Sequence, residues 1–190
     1  MIKPALHHVT LRTSHLDEMI KWYGIVIGAE VQFRDAVAAW TTNDAANHRI
    51  AFLAVPGLSD DPEKARHNGM HHCAFEYENF ADLMVSYDRI RKDGIEPAFC
   101  LDHGLTISIY YKDPESNFVE LQADGFGDWK LSSAWMRTSP DFAANPIGVF
   151  FDAARVFDAF KTGSDFKAIQ KAIRSNTYLP DPIPNIGLPA

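Results

Sequence analysis

The sequence predicts an α+β fold in which two βαβββ modules form one concave mixed sheet, followed by a C-terminal helical extension. Three observations predict it. The stretch Met70 to Tyr77 copies the layout of Leu6 to Thr13 at an offset of 64 residues, each with a His-His pair ahead of a β-type alternation. Each copy is followed by apolar residues at helical spacing and a closing glycine, and each helical stretch by three short β-type runs. Two such units placed side by side bring the polar faces of corresponding strands together.

The first run, Ala5 to Thr13, puts His8, Thr10 and Arg12 on one face and Val9 and Leu11 on the other. Ser14 then reads as an N-cap, with Asp17 and Glu18 suited to the positive end of a helix dipole. Leu16, Met19, Ile20 and Tyr23 recur at helical spacing, and Gly28 is the expected stop. Glu30 to Phe33, Val37 to Thr41 and Arg49 to Val55 complete the first module as strands, ended by Pro56 and Gly57. After the connection Leu58 to Gly69, the second module opens. Its helix is expected over Asn79 to Gly94, with Leu83, Met84, Tyr87 and Ile90 on the apolar stripe. Pro97 to Leu101, Thr106 to Tyr111 and Phe118 to Ala123 follow as strands. The last two read as a hairpin, because Lys112-Asp113-Pro114-Glu115-Ser116-Asn117 has the composition of a turn.

Composition bounds the function. With 190 residues, 46% of them hydrophobic and 23% charged, the chain is long enough to bury a real core. A net charge of −7 with scattered basic residues predicts no nucleic-acid partner. No stretch approaches the roughly 20 apolar residues needed to span a bilayer, so no membrane partner and a cytoplasmic location are expected. Cys73 and Cys100 are too few for a four-cysteine zinc site and read as small buried side chains.

The repeat singles out ligands. His8 and His72 occupy matching places in the first strands, each on the face opposite the helix-packing residues, while His7 and His71 are expected to point the other way. Alternation in the final strand puts Phe118, Glu120 and Gln122 on one face. A core histidine or a salt-bridged glutamate is the ordinary reading of each alone. Together, His8, His72 and Glu120 make a two-His, one-carboxylate facial triad, which suits Fe(II), with Mn(II) as second choice.

At this point the chain resembles a known family. The doubled plan with these ligands is similar to the vicinal oxygen chelate (glyoxalase/bleomycin resistance/dioxygenase) superfamily, over roughly Leu6 to Asp124. His103, Ile109-Tyr110, Asp113-Pro114 and Glu120 are spaced like the signature of its type I extradiol ring-cleavage dioxygenases, with Ser116 standing where that family usually has Gly. The resemblance implies a single-domain enzyme that inserts both atoms of O2 into a small aromatic diol of the catechol type. It implies that His48, His103 and Tyr110 are catalytic: His48 as acid and base, the other two as hydrogen-bond donors to developing charge. Phe52 is placed where glyoxalase-type relatives carry a further ligand, and its apolar side chain favours the dioxygenase reading. A metal-dependent lyase or isomerase and a non-catalytic small-molecule binder are the alternatives. By analogy a homo-oligomer, most simply a dimer, is expected.

These readings divide the chain into a paired-module domain, residues 1–125, and an extension, residues 126–190. Within the extension, Asp128 to Asn145 reads as loop. Helices are expected from Asp152 and from the cap candidate Ser164, and an extended tail over Pro180 to Pro189. The extension is expected to pack on the sheet or on a partner subunit, with Trp129, Phe142 or Phe150 closing over substrate as the functional alternative.

Overall fold

A computed structural model of the chain describes residues 1–188; the final residue of the expected tail, Pro189, lies outside the described residues. Both βαβββ modules are present. The first comprises β1 (Val9–Thr13), α1 (Leu16–Ile27), β2 (Glu30–Arg34), β3 (Ala38–Thr42) and β4 (Ile50–Ala54). The second comprises β5 (His72–Tyr77), α2 (Phe80–Lys92), β6 (Phe99–Asp102), β7 (Thr106–Lys112) and β8 (Phe118–Asp124). Where one continuous sheet was expected, each module builds its own hydrogen-bonded sheet, in the orders β1-β4-β3-β2 and β5-β8-β7-β6-β9. The strand β9 (Val149–Phe150) comes from the extension and pairs antiparallel with β6. By contacts the chain divides into two units. Met1–Lys64 and Asp113–Asn117 form the first, and Ala65–Lys112 with the chain from Phe118 onward forms the second.

In the first unit, α1 lays Met19, Tyr23 and Val26, all fully buried, on β3 and β4. Each such side chain contributes about 1.5–3 kcal/mol of burial free energy. Gly28 ends the helix in the left-handed conformation, φ 69°, as its position in the sequence predicts. The start differs from expectation. His15 rather than Ser14 is the N-cap, and no side chain caps there. Thr13 Oγ1 accepts from the His15 N–H at 2.8 Å, while the Ser14 N–H donates to Glu115 Oε1 at 2.9 Å. Glu115 lies on the turn Asp113–Asn117, which is organised around a buried carboxylate. Asp113 accepts from the N–H groups of Glu115 (3.0 Å) and Asn117 (2.8 Å) and from Tyr23 Oη (3.1 Å). Ser116, in the place where the related signature has Gly, adopts φ 61°, the left-handed conformation that glycine takes without strain.

In the second unit, Asn79 caps α2 by accepting from the Asp82 N–H at 3.0 Å. The helix buries Leu83, Met84, Tyr87 and Ile90 against its sheet. The stretch read as loop is helical instead: α3 (Trp129–Thr138) and α4 (Pro140–Ala144). Asp128 caps the first, and Ser139 with Pro140 at the first helical position starts the second. Those start signals outweigh the polar, tryptophan-containing composition of the stretch. Then α5 (Ala153–Lys161), capped by Asp152, packs on α2, and α6 (Phe166–Arg174) packs on β6 and β9. The cap of α6 is Asp165, one residue beyond Ser164. Buried Asp102 at the end of β6 ties α6 down, accepting from Gln170 Nε2 (3.2 Å), Arg174 Nε (3.3 Å) and the Gly104 N–H (2.7 Å).

Candidate metal centre

The second unit assembles four of the six expected site residues. Parallel pairing of β5 with β8 sets Ala74 opposite Glu120, so His72, two residues earlier, shares the face of Glu120. Antiparallel pairing of β7 with β8 sets Tyr110 directly opposite Glu120. The result is a compact polar group: His72 Nε2 lies 3.0 Å and His103 Nε2 3.8 Å from the Glu120 carboxylate, and Tyr110 Oη lies 2.9 Å from His103 Nε2. Phe99, Leu101, Tyr110 and Phe118 form the apolar floor, with Phe150 packed against them.

Burial shapes the chemistry of each group. Glu120 is only 4% exposed. Burial works to raise its pKa, yet hydrogen bonding to the carboxylate, His72 first, holds it below the usual range. It is therefore an anion in an apolar setting. Burial lowers the pKa of His103, against the opposing pull of Glu120, and so favours its neutral form. Burial and the facing carboxylate push the Tyr110 phenol far above its ordinary value, which keeps it a proton donor.

The first unit holds the other two. His8 immediately precedes β1 and His48 lies two residues ahead of β4, and the parallel register Val9 to Ile50 brings them together with ring centroids 4.3 Å apart. His7 joins them: the ligand nitrogens of His7, His8 and His48 all lie within 4.8 Å of one another. His48 Nδ1 is 2.7 Å from Asn47 Oδ1. Burial, then the neighbouring His8 and His7, lowers the His48 pKa and leaves the ring able to accept a proton.

Two expectations need correction. His7 and His71 do not point away from their neighbours, for the Nδ1 atoms of His7 and His8 are 3.1 Å apart and those of His71 and His72 are 2.8 Å apart. His7, His8 and His71 all precede their strands, so strict alternation does not reach them. Phe52 is also not the counterpart of Glu120. The register pairs Thr10 with Ala51 as it pairs Ala74 with Glu120, and the 64-residue offset maps Thr10 onto Ala74. Phe52, fully buried, packs instead against Tyr23 of α1 at 5.1 Å. The position remains apolar, with Ala51 in it.

Elsewhere, Trp129 is exposed and donates to Glu76 Oε1 at 2.9 Å. Phe142 and Trp135 line a cavity of about 210 Å³ with Asp102, His103, Gly104 and Arg174, so the cavity reaches one residue of the polar group. Asp102 alternates with floor residue Leu101 along β6, which assigns its side chain to the other face of the sheet. Of the three aromatic residues proposed as covers, Phe150 alone packs against the site floor. Cys100 is buried, which raises the pKa of its thiol, whereas Cys73 is only half-buried where a buried side chain was expected. Among the described residues no helix is long and apolar enough to cross a membrane.

A buried carboxylate held as an anion, with an imidazole nitrogen 3.0 Å away, is the donor chemistry that a divalent cation requires. His72 and Glu120 are thus the residues of the second unit able to hold one; within the first unit the candidates are His7, His8 and His48.

The family model described as Glyoxalase/Bleomycin resistance protein/Dioxygenase superfamily matches residues 5–121. "Biphenyl-2,3-diol 1,2-dioxygenase 2" of Rhodococcus globerulus is 35% identical over 183 residues, covering 95% of each chain. "Biphenyl-2,3-diol 1,2-dioxygenase 3" of the same organism is 34% identical over 162 residues, covering 85% of each. Among solved structures, a glyoxalase/dioxygenase from Nostoc punctiforme superposes with a TM-score of 0.53 at 17% identity, over 65% of this chain and 96% of that one. The fosfomycin resistance protein FosX from Listeria monocytogenes superposes with a TM-score of 0.50 at 20% identity, over 64% of this chain and 94% of that one. At these identities the structural likeness concerns the fold alone.

Proposed function

Because the chain belongs to the glyoxalase/bleomycin resistance protein/dioxygenase superfamily, we propose that it is an extradiol dioxygenase that inserts both atoms of O2 into a catechol-type diol. The observation that carries this reading is the group His72, Glu120, His103 and Tyr110 on one face of the second sheet, in a chain 35% identical to a biphenyl-2,3-diol dioxygenase over nearly its whole length. An aryl-substituted catechol is accordingly the proposed substrate class.

His8, His72 and Glu120 are the proposed ligands, and Fe(II) the proposed metal, with Mn(II) second. Bound there, the cation would supply positive charge that favours the ionised diol and would allow O2 to be activated. The other steps belong to the chain. His48, whose lowered pKa keeps it neutral, accepts a hydroxyl proton from the diol and returns a proton later in the reaction. Tyr110, held protonated, and His103, its hydrogen-bond partner, face the charge that develops on oxygen as the ring opens. Apolar Ala51 at the position equivalent to Glu120 adds no further carboxylate, which weighs against the lyase and isomerase readings.

The test is reconstitution with Fe(II) under nitrogen, then admission of O2 with biphenyl-2,3-diol or unsubstituted catechol, read by visible absorbance of the ring-opened product. Product formation that is lost in His72→Ala and Glu120→Ala supports the reading. Tight iron binding with no product from any diol would move the chemistry to the alternatives.

A further inference from the structure

Resting on that metal reading, we infer that His71 is a positioning residue that fixes the tautomer of His72, and that the C-terminal tail supplies the group that sets it. His71 Nε2 lies 2.7 Å from the Ile186 carbonyl oxygen, and His71 Nδ1 lies 2.8 Å from His72 Nδ1. A carbonyl only accepts, so the proton of a neutral His71 resides on Nε2. Its Nδ1 then carries a bare lone pair, and the short contact with His72 requires the His72 proton to be on Nδ1. The polarity of the whole chain follows from the one group that cannot donate.

The consequence falls on the other side of the His72 ring. His72 Nε2 lies 3.0 Å from Glu120 Oε2. The Nδ1 proton stays committed to His71 whether or not Nε2 carries the proton that it gives to Glu120 in the hydrogen-bonded pair; once that Nε2 proton leaves, the neutral ring presents a bare nitrogen to an anionic oxygen, an arrangement that calls for a cation at that point. Without His71, His72 can place its proton on Nε2 and donate it to Glu120, closing the two donors on each other. His71 thus keeps the site open for metal, in the way that outer partners generally orient ligating histidines.

Packing fixes His71 itself. Its ring stacks on Phe118 with centroids 5.2 Å apart and 24° between planes. Ile186 packs against the cluster containing Phe118, and a Cβ added to Gly187 would meet the Phe118 ring at 2.4 Å. Gly187, at φ 79°, lets the backbone lie directly on that ring, which holds the Ile186 carbonyl where His71 needs it. The tail therefore has a role at the site without touching substrate.

The experiment compares Fe(II) release to excess chelator under nitrogen in wild type, His71→Phe and His71→Asn, with urea midpoints measured alongside. Phe keeps the stack on Phe118 and removes the acceptor; Asn puts a carboxamide oxygen near the place of Nδ1. The expected result is release roughly 10–100-fold faster in His71→Phe at an unchanged midpoint, largely recovered in His71→Asn. Nitrogen-15 imidazole spectra of the metal-free protein at pH about 8.5, well above the ordinary histidine pKa, should show His72 protonated on Nδ1 and His71 on Nε2. Wild-type release from His71→Phe, no recovery in His71→Asn, or a His72 proton on Nε2 would each overturn the inference. If His72→Ala binds Fe(II) like wild type, the metal reading itself falls and this inference with it, an outcome the three His71 results do not mimic.

Discussion

Glu120→Gln should separate the metal site from the fold. The Glu120 side chain is 6% exposed and paired with His72 at 3.0 Å. Gln keeps the volume and can still hydrogen-bond, and it removes the desolvation cost of a buried anion. The metal-free variant should therefore unfold within about 1 kcal/mol of wild type. Glu120→Ala, by contrast, leaves a cavity and strips a partner from His72, and should cost about 2–4 kcal/mol. With Mn(II) the order changes. At a free concentration 100 times its Kd, the ion stabilises wild type by about 2.7 kcal/mol; if Gln weakens binding 100-fold, the same concentration gives only about 0.4 kcal/mol. Urea unfolding with and without Mn(II) measures both quantities. A Glu120→Gln protein that gains as much from Mn(II) as wild type does would refute the assignment of Glu120 as ligand.

Three further outcomes are expected. Tyr110→Phe should lower kcat on the order of 100-fold while Fe(II) release stays within a few-fold of wild type, because the phenol faces reacting oxygen and is not a ligand; an effect on metal release alone would contradict that role. Asp102→Ala should destabilise by about 2–3 kcal/mol, at or below the lower end of the range for a broken buried pair, since Arg174 is 39% exposed and keeps some water; an unchanged urea midpoint would contradict it. Burial works to raise the Glu115 pKa, but hydrogen bonds from Thr13, the Ser14 N–H and His15 hold it below its ordinary 4.5. Its contribution is then present above pH 4.5 and lost as pH falls through the folded-state value. Glu115→Gln should accordingly lose less stability than wild type does on acidification, and parallel profiles would contradict the assignment.

The face of the second sheet that Glu120 and Tyr110 share was legible because strand alternation is local and strict. Once Phe118 to Ala123 is read as a strand, Glu120 has a face, and the hairpin turn brings Tyr110 opposite to it. The repeat marked His8 and His72 by their matching places 64 residues apart, although only His72 lies within a strand. What alternation could not reach were residues outside strands. His71 precedes β5, so its direction is set by a tail carbonyl 115 positions away, which no local pattern encodes. Phe52 was misplaced by one residue, the error to which period-2 arguments are most prone. The register Thr10 to Ala51 resolves it. The helices α3 and α4 were missed although Asp128 and the Ser139-Pro140 pair are readable start signals, because the polar stretch between them suggested a loop. Asp102 gave no signal at all, since its partners Gln170 and Arg174 are distant in sequence.

The central claim, dioxygenase chemistry on an aromatic diol, is tested most directly by the stoichiometry of turnover. Fe(II)-loaded protein is mixed with a known amount of biphenyl-2,3-diol in an oxygen-electrode cell, and the O2 consumed is compared with the diol lost and the ring-opened product formed. Equal amounts of all three are expected, and none in Glu120→Gln. Conversion of the diol without O2 uptake, or O2 uptake that leaves the ring intact, would contradict it.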